Sequence, residues 1–289
     1  MNISDIPSKF FVLMFLFFAT SENAQQIKNI GNMNTPTYAP INGLRMYYEI
    51  HGDGSIPLVL IHGGGSTIET SFGNLLPLLS AKGKVIAVEL QGHGRTNDRN
   101  GPESYVQDAE DVAALMEFLN IDKANFLGFS NGGTATLQIA IRHAELANKI
   151  IIISSNYKRE GMVAGFFEGL QKATLADMPE PLKEGYLKVA PDKSHLHTMF
   201  EKDRDRMVAF KDINDDDIRS IHAPALIMVG DHDVVSPEHA LKMSHLISNS
   251  RLVVLPGTHG SFIGEACTVE KGSKLPQMSA DLIEEFLKK

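Results

Sequence analysis

The segment FLGFSNGGTATLQIAI, residues 126–141, constrains the fold of this chain more than any other. Ser130 lies two residues from a glycine on either side, Gly128 and Gly132, where an apolar run ends and a helix-like run begins. Glycine tolerates a tight or positive-φ backbone and lets another segment approach closely. A serine in this setting is either a turn residue or a nucleophile held on a strained strand-to-helix corner. The strand pattern before it and the helix pattern after it favour the nucleophile.

The size and charge of the chain exclude several kinds of protein. With 289 residues, of which 43% are hydrophobic and 21% charged, the composition is that of an ordinary globular protein with a full core. The net charge of −8 argues against nucleic acid or an anionic lipid surface as the main partner. The single cysteine, Cys267, cannot form an internal disulfide, so stability must come from the core.

The amino terminus has the pattern of a secretory signal peptide. Lys9 precedes an apolar run over residues 10–19, and small and polar residues follow. About ten apolar residues are too few to span a bilayer, which takes about 20, but they suit a signal sequence. We predict a signal peptide over residues 1–24, export to the periplasm or the medium, and no stable membrane anchor after cleavage. Cleavage after Ala24, cleavage near residues 19–21 and an uncleaved apolar terminus remain alternatives.

From about residue 41, short apolar runs alternate with helical patterns. The clearest helix begins near Ser104 and carries apolar residues at 3.6-residue spacing as far as Leu119. The apolar runs, each read as a buried strand, lie at 58–61, 85–88, 126–127, 150–153, 226–229 and 252–255. This alternation predicts an α/β fold, with a mostly parallel sheet and helices on both faces.

One stretch, residues 156–220, contains no strand-like run. We interpret it as a helical cap, or lid, inserted into a core made of residues 25–155 and 221–289. Its apolar residues either pack the cap or line a substrate pocket. The candidate substrate-binding residues are Met162, Phe166 and Phe167 in this cap, together with Phe129 beside the candidate nucleophile.

A serine hydroxyl attacks poorly at neutral pH, so it needs a base, a carboxylate that orients the base, and donors for the oxyanion. The candidate base is His259, which follows the last strand-like run through a Pro-Gly turn. The carboxylate is Asp231 or Asp233, and spacing does not separate them, because residues two apart point the same way in an extended chain. The glycines of the loop HGGG, residues 62–65, offer backbone N–H donors. No Gly-Lys-Ser/Thr follows them, which excludes a nucleotide P-loop.

Five segments together resemble the α/β-hydrolase superfamily: LVLIHGGG, VIAVELQGHGRT, FLGFSNGG, LIMVGDHDVVSP and VLPGTHGSF. They cover the chain from about residue 41 to its end, and the order serine, aspartate, histidine is that of the family. The family's pattern G-x-x-D-x-x-x-P matches Gly230, Asp233 and Pro237. The resemblance therefore implies Asp233 as the catalytic acid, with Ser130 and His259.

The same resemblance implies the oxyanion donors and the class of chemistry. The backbone N–H groups of Gly64 and Asn131 would bind the oxyanion, and no metal or organic cofactor is implied. A serine nucleophile and the absence of tryptophan argue against haloalkane dehalogenase chemistry. A metal cluster is a poor alternative, because the nearby histidines and aspartates lack a standard ligand spacing.

The leading hypothesis is a serine hydrolase that cleaves carboxylic esters or lactones of small molecules through an acyl-enzyme. The same triad would also serve hydrolysis of a C–C bond in a vinylogous diketone, or cofactor-free perhydrolysis. A non-catalytic ligand-binding protein on a hydrolase scaffold is an alternative from another class. Fold does not choose among these functions.

Overall fold

The computed structural model describes residues 37–288, so the predicted signal peptide lies outside the described residues. The strands in this range are β1 (Thr37–Ile41), β2 (Leu44–His51), β3 (Leu58–Ile61), β4 (Val85–Val88), β5 (Ala124–Phe129), β6 (Ala147–Ile153), β7 (Ala225–Gly230) and β8 (Ser250–Leu255). The α-helices are α1 (Ile68–Phe72), α2 (Leu76–Ser80), α3 (Tyr105–Phe118), α4 (Asn131–Arg142), α5 (Phe166–Lys172), α6 (Glu180–Val189), α7 (Leu196–Val208), α8 (Asp215–Arg219), α9 (Pro237–Leu246) and α10 (Leu275–Lys288). Between residues 37 and 288, no helix has both the length and the apolar character needed to cross a bilayer.

The strands form one sheet in the order β1-β2-β4-β3-β5-β6-β7-β8. Strand β2 is antiparallel to both of its neighbours, whereas the pairs from β4 to β8 are parallel. Each of the six predicted strand runs lies within one of β3 to β8. Strands β3, β4, β5 and β7 are buried at every position, as expected for parallel strands covered on both faces. The predicted α/β fold with a mostly parallel sheet is confirmed.

Successive strand residues pack into two apolar layers, one on each face of the sheet. In β3, Val59 and Ile61 face the layer that contains α3, α4 and α9. Leu58 and Leu60 face the layer that contains α1, α2 and α10. This alternation follows from the two-residue period of a strand. It explains why β3 is apolar at every position, since both of its faces are covered.

The segment 156–220, which we call the cap segment, contains α5 to α8 and contributes no strand to the sheet. Part of it packs on itself in a small apolar cluster of α6, α7 and the chain beside them, formed by Met178, Tyr186, Ala190, Leu196 and Met199. Near its two ends, Tyr157, Ile213 and Ile218 pack into the core layer instead. The domain boundaries at 156 and 220 remain the prediction made from the sequence.

The parallel strands bring the candidate functional residues to one edge of the sheet. The carboxyl ends of β3, β5, β7 and β8 lead into the HGGG loop, Ser130, Asp233 and His259. Strand β3 lies between β4 and β5, so the order of the strands reverses at this point. Open α/β sheets bind ligands outside the carboxyl ends of their strands, at such a reversal. The topology therefore places a candidate site at this edge.

Candidate active site

Ser130 occupies a strained turn between β5 and α4. Its φ of 54° is in the left-handed region that non-glycine residues rarely adopt, at a cost of about 1–3 kcal/mol. A Cβ atom on Gly128 would collide with the carbonyl oxygen of Gly132, and one on Gly132 would collide with that of Ile61. The flanking glycines are thus required because strand and helix pack tightly around the turn. The turn is held to β6 by a hydrogen bond from the Ser130 N–H to the Ile153 carbonyl at 2.9 Å.

His259 lies within hydrogen-bond distance of both the serine and an aspartate. Its Nε2 is 3.0 Å from the Ser130 Oγ, and its Nδ1 is 2.8 Å from Oδ1 of Asp233. A carboxylate accepts only, so Nδ1 carries the proton and Nε2 is free to accept one from the serine hydroxyl. The ring of Phe129 packs beside the imidazole, with ring centroids 4.9 Å apart. The three predicted triad residues are brought together in the order that nucleophilic catalysis requires.

The structure separates the two aspartates that spacing alone leaves equivalent. Asp233 is buried, and besides His259 it accepts hydrogen bonds from the Val235 N–H at 3.1 Å and the Ser154 hydroxyl at 2.5 Å. Asp231 is exposed, and its Oδ1 accepts from the Gly257 N–H at 2.8 Å. Asp231 therefore braces the turn before His259, while Asp233 contacts His259 itself.

The hydrogen bonds to Asp233 also set its charge. Burial by itself would raise the pKa of this carboxyl. The hydrogen bond and charge of His259, with further hydrogen bonds from Ser154 and Val235, outweigh burial and lower the pKa below its usual value. Asp233 is thus held as a carboxylate at neutral pH, the form that orients and stabilises a charged imidazole.

Ser154 is a functional residue that the sequence analysis missed. It follows the last residue of β6, and its φ of 50° is again in the left-handed region. Its N–H donates to the Met228 carbonyl at 2.8 Å, and its hydroxyl donates to Asp233. The strained backbone aims the hydroxyl at the acid. A polar residue directly after the apolar run of β6 is the signal that points to it.

The two predicted oxyanion donors lie beside Ser130. Asn131 begins α4, and Gly64 is in the HGGG loop after β3. Among residues 37–288, neither backbone N–H donates to a protein acceptor. A helix start leaves its first N–H groups, here that of Asn131, free to bind an anion. Both groups are therefore available to an oxyanion formed at Ser130.

His62 braces this loop. Its Nε2 accepts from the Leu90 N–H at 3.0 Å, and its Nδ1 is 2.7 Å from the Gly63 carbonyl. Burial, with a smaller contribution from the neighbouring His93, lowers the pKa of His62 to about 3, so it remains neutral. Within the described range, no group of three or more His, Cys, Asp or Glu side chains is arranged to hold a metal ion.

A cavity of about 260 Å³ opens at Ser130 and His259. Three of the four predicted substrate-binding residues, Met162, Phe166 and Phe167, line it. The other lining residues are Gly64, Tyr105, Asn131, Ser154, Asn156, Met207, Phe210, Val234 and Val235. The cavity is thus mainly apolar, with the polar groups concentrated around the triad, as small-molecule sites usually are.

Phe129, the fourth predicted substrate-binding residue, does not line this cavity. Its side chain is in the layer with α1, α2 and α10, and it is only 3% exposed. A Cβ atom on Gly260 would collide with its ring at 2.7 Å, and one on Gly63 would lie only 3.0 Å from it. Because successive strand side chains alternate between faces, the last residue of β5 points beneath His259 instead of toward the cap segment. Phe129 supports the imidazole from below.

Comparison with known proteins places this geometry in context. A family model for the alpha/beta hydrolase fold matches residues 56–186. The human serine hydrolase BPHL is 28% identical over 242 residues, which cover 79% of this chain and 81% of that one. The 2-hydroxy-6-oxo-6-(2'-aminophenyl)hexa-2,4-dienoic acid hydrolase of Metapseudomonas resinovorans is 29% identical over 246 residues, covering 74% of this chain and 80% of the relative.

Solved structures show the same fold. The enol-lactonase from Burkholderia xenovorans LB400 superposes with a TM-score of 0.68 at 21% sequence identity, covering 88% of this chain and 100% of that one. At this identity the likeness bears on the fold alone.

Proposed function

This chain belongs to the α/β-hydrolase superfamily, and from that premise we propose that it is a serine hydrolase of carboxylic esters or lactones of small molecules. The observation that carries the proposal is the continuous path of hydrogen bonds from Ser130 through His259 to Asp233, 3.0 Å and 2.8 Å long. The fold hosts several reactions, so these side chains and the cavity around them, not the fold, indicate the chemistry.

In the first half of the reaction, the Ser130 Oγ attacks the carbonyl carbon while the Nε2 of His259 takes its proton. The C–O bond to the leaving alcohol then breaks, and the imidazolium returns the proton to that oxygen. In the second half, His259 removes a proton from water, which attacks the acyl carbon of the acyl-enzyme. The bond to the Ser130 Oγ then breaks, the imidazolium returns the proton to that oxygen, and the acid is released. With a lactone, the alcohol and acid remain in one hydroxy-acid product. Asp233 keeps the imidazole oriented and stabilises its positive charge throughout.

The tetrahedral intermediate carries a negative oxygen that needs preorganised donors. The backbone N–H groups of Gly64 and Asn131 are the donors in this proposal. Each such donor is typically worth 10²- to 10³-fold in rate, about 3–4 kcal/mol. Their location beside Ser130, without competing protein acceptors among residues 37–288, supports the assignment.

The charge of the cavity favours a neutral ester or lactone over a dienoate. The relative from Metapseudomonas resinovorans is named for a substrate acid, and an ionised acid requires a cation or several donors to replace its hydration. No lysine or arginine is among the described residues that line the cavity. Arg159 lies beside one lining residue, but its guanidinium stacks on the Phe167 ring, 3.6 Å from the ring centroid. C–C hydrolysis is therefore the second candidate.

A substrate screen with a Ser130→Ala control tests the proposal. Wild-type protein should hydrolyse p-nitrophenyl acetate, p-nitrophenyl butyrate and simple lactones, and Ser130→Ala should lose about 10⁴-fold or more in kcat. A fluorophosphonate should label the wild type at Ser130, identified by mass spectrometry of the peptides. Labelling at another residue would contradict the nucleophile assignment. Turnover of a 2-hydroxy-6-oxo-dienoate without ester turnover would favour the C–C alternative, and no turnover at all would favour a binding protein.

We also propose that the protein is exported and that residues 1–24 are removed. The lysine, apolar run and small residues at the amino terminus support this. Intact-mass measurement of the protein, expressed with its own amino terminus in a secreting bacterial host, should give a chain that begins near Gln25 or Glu22. An intact Met1 on protein that remains in the cytoplasm would refute export.

A further inference from the structure

A cluster of charged side chains lies buried between the cap segment and the core, behind the candidate oxyanion donors. Its members, which we call the buried charge cluster, are His93, Glu103, Asp108, Asp203 and Arg206. Asp203 and Arg206 lie on α7 in the cap segment, and the other members belong to the core. The triad does not use these residues. Burial of so many charges is costly unless they are paired, so their arrangement calls for a function.

Asp203 is the member that reaches the oxyanion donors. Its Oδ1 accepts a hydrogen bond from the Asn131 side-chain amide at 3.1 Å. A Cβ atom added to Gly64 would lie only 2.5 Å from the Oδ2 of Asp203. It would also collide with the side-chain amide nitrogen of Asn131. The carboxylate and the amide thus fill the place of the side chain that Gly64 lacks. One residue of the cap segment contacts both predicted donors.

The Asn131 side chain is held from its other side as well. The Tyr105 hydroxyl donates to the Asn131 Oδ1 at 3.0 Å. With the amide nitrogen donating to Asp203 and the amide oxygen accepting from Tyr105, the orientation of the amide is defined. Asn131 is buried, so neither bond is readily exchanged for water. The first residue of α4 is therefore clamped between the core and the cap segment.

Arg206 keeps Asp203 ionised and in place. Its guanidinium pairs with Asp203, one turn earlier on α7, and reaches Oδ2 of Asp108 on α3 at 2.5 Å. Burial alone would raise the pKa of Asp203. The charge of Arg206, together with the hydrogen bond and charge of His93 and the hydrogen bond from Arg206, outweighs burial and holds the pKa well below its usual range. A carboxylate is a stronger acceptor for the Asn131 amide than a neutral acid.

We propose that Asp203 is a positioning residue, which holds Asn131 and Gly64 so that their backbone N–H groups converge on the oxyanion. Through Asp203, the cap segment then contributes to the rate of the chemical step in addition to covering the site. This inference rests on the proposed function, because it assigns Asp203 a part in oxyanion binding at Ser130. The competing explanation is that Asp203 only balances the buried charge of Arg206.

Two full-chain variants separate these explanations. Asp203→Ala and Asp108→Ala each remove one carboxylate from Arg206, but only the first removes a contact with Asn131. Asp203→Asn is the rescue variant, because an amide oxygen at the Oδ1 position still accepts from Asn131. The measurements are the thermal midpoint, the rate constant of fluorophosphonate labelling at Ser130, and kcat and KM for p-nitrophenyl butyrate.

Both alanine variants should lower the thermal midpoint. Only Asp203→Ala should slow labelling and lower kcat, each by about 10- to 100-fold, since small misplacements of catalytic groups cost this much. KM should stay within about threefold, because the lost interaction belongs to the transition state. Asp203→Asn should recover most of the rate. Equal losses in the Asp203→Ala and Asp108→Ala variants, or a change confined to KM, would overturn the proposal.

A further variant covers the case in which Asp203→Ala does not fold. Asn131→Ala removes the side chain that Asp203 holds, keeps the backbone N–H and leaves Arg206 paired. It should slow labelling to a similar extent, and unchanged labelling in this variant overturns the positioning role. If the wild type is not labelled and shows no turnover, the proposed function fails and this inference fails with it. Normal labelling of both the wild type and the Asp203→Ala variant overturns the inference alone.

Discussion

Replacing Asp233 with asparagine should remove a charge from the triad without disturbing its geometry. Oδ1 of Asp233 accepts from both the Nδ1 of His259 and the Val235 N–H, whereas Oδ2 accepts, among residues 37–288, only from the Ser154 hydroxyl. An amide placed with its oxygen at Oδ1 keeps the first two hydrogen bonds. Its NH2 group then faces the Ser154 hydroxyl, which can rotate to accept. The opposite orientation would set two donors against each other at Val235.

The expected loss is therefore electrostatic. During the reaction His259 becomes an imidazolium beside Asp233. Two unit charges about 4 Å apart attract by about 4 kcal/mol at an effective dielectric constant near 20. Since each 1.36 kcal/mol is a factor of ten in rate, Asp233→Asn should lower kcat by about 10³-fold. This loss is smaller than the approximately 10⁴-fold loss found where an amide enforces the wrong imidazole tautomer.

The assay is kcat for p-nitrophenyl butyrate, with Asp231→Asn as the matched control. Asp231 is exposed, and an asparagine oxygen there would still accept from the Gly257 N–H. Asp231→Asn should therefore change kcat by no more than about twofold, as expected for a surface substitution. A larger loss in Asp231→Asn than in Asp233→Asn, or less than about a tenfold loss in Asp233→Asn, would refute the reasoning.

Three further predictions follow from the same contacts. Ser154→Ala should lower kcat by about tenfold, because the Ser154 hydroxyl donates to Asp233 and helps to hold it in place as a carboxylate; an unchanged kcat contradicts this. Phe166→Ala or Phe167→Ala should change the ratio of kcat/KM for long and short acyl chains by about 10-fold, because both rings line the cavity. Equal losses for all chain lengths, with a lower thermal midpoint, would mean that the rings only hold the cap segment together. Burial raises the pKa of Glu103 to about 7, so its ionisation destabilises the folded protein as pH rises from about 4.5 to 7. The free energy of unfolding of Glu103→Gln, measured with denaturant, should therefore rise by about 1–3 kcal/mol relative to that of the wild type between pH 5 and pH 8. A difference that stays constant with pH would contradict this.

The fold, and the residues that the structure brings together at the candidate site, were largely predictable from the sequence, because both depend on local patterns. A strand covered on both faces needs an apolar residue at nearly every position, so β3 to β7 stand out as continuous runs. The turn at Ser130 needs glycine on either side, since any Cβ atom would collide with a neighbouring carbonyl oxygen. Strands β1 and β2 lack a continuous apolar run, because several of their residues face solvent, and the sequence analysis did not predict them.

What only the tertiary structure decided depends on contacts between residues far apart in the chain. Asp231 and Asp233 are equivalent by spacing, and before the structure only the family resemblance favoured Asp233. The contacts that separate them are tertiary, because Asp231 lies exposed at a turn while Asp233 is buried against Ser154, 79 residues earlier. The packing of Phe129 beneath His259 instead of in the cavity follows from the face of β5 on which it lies. Asp203 reaches Asn131 across 72 residues. A periodic pattern reports how each residue relates to its own element, whereas these partnerships exist only once separate elements have packed together.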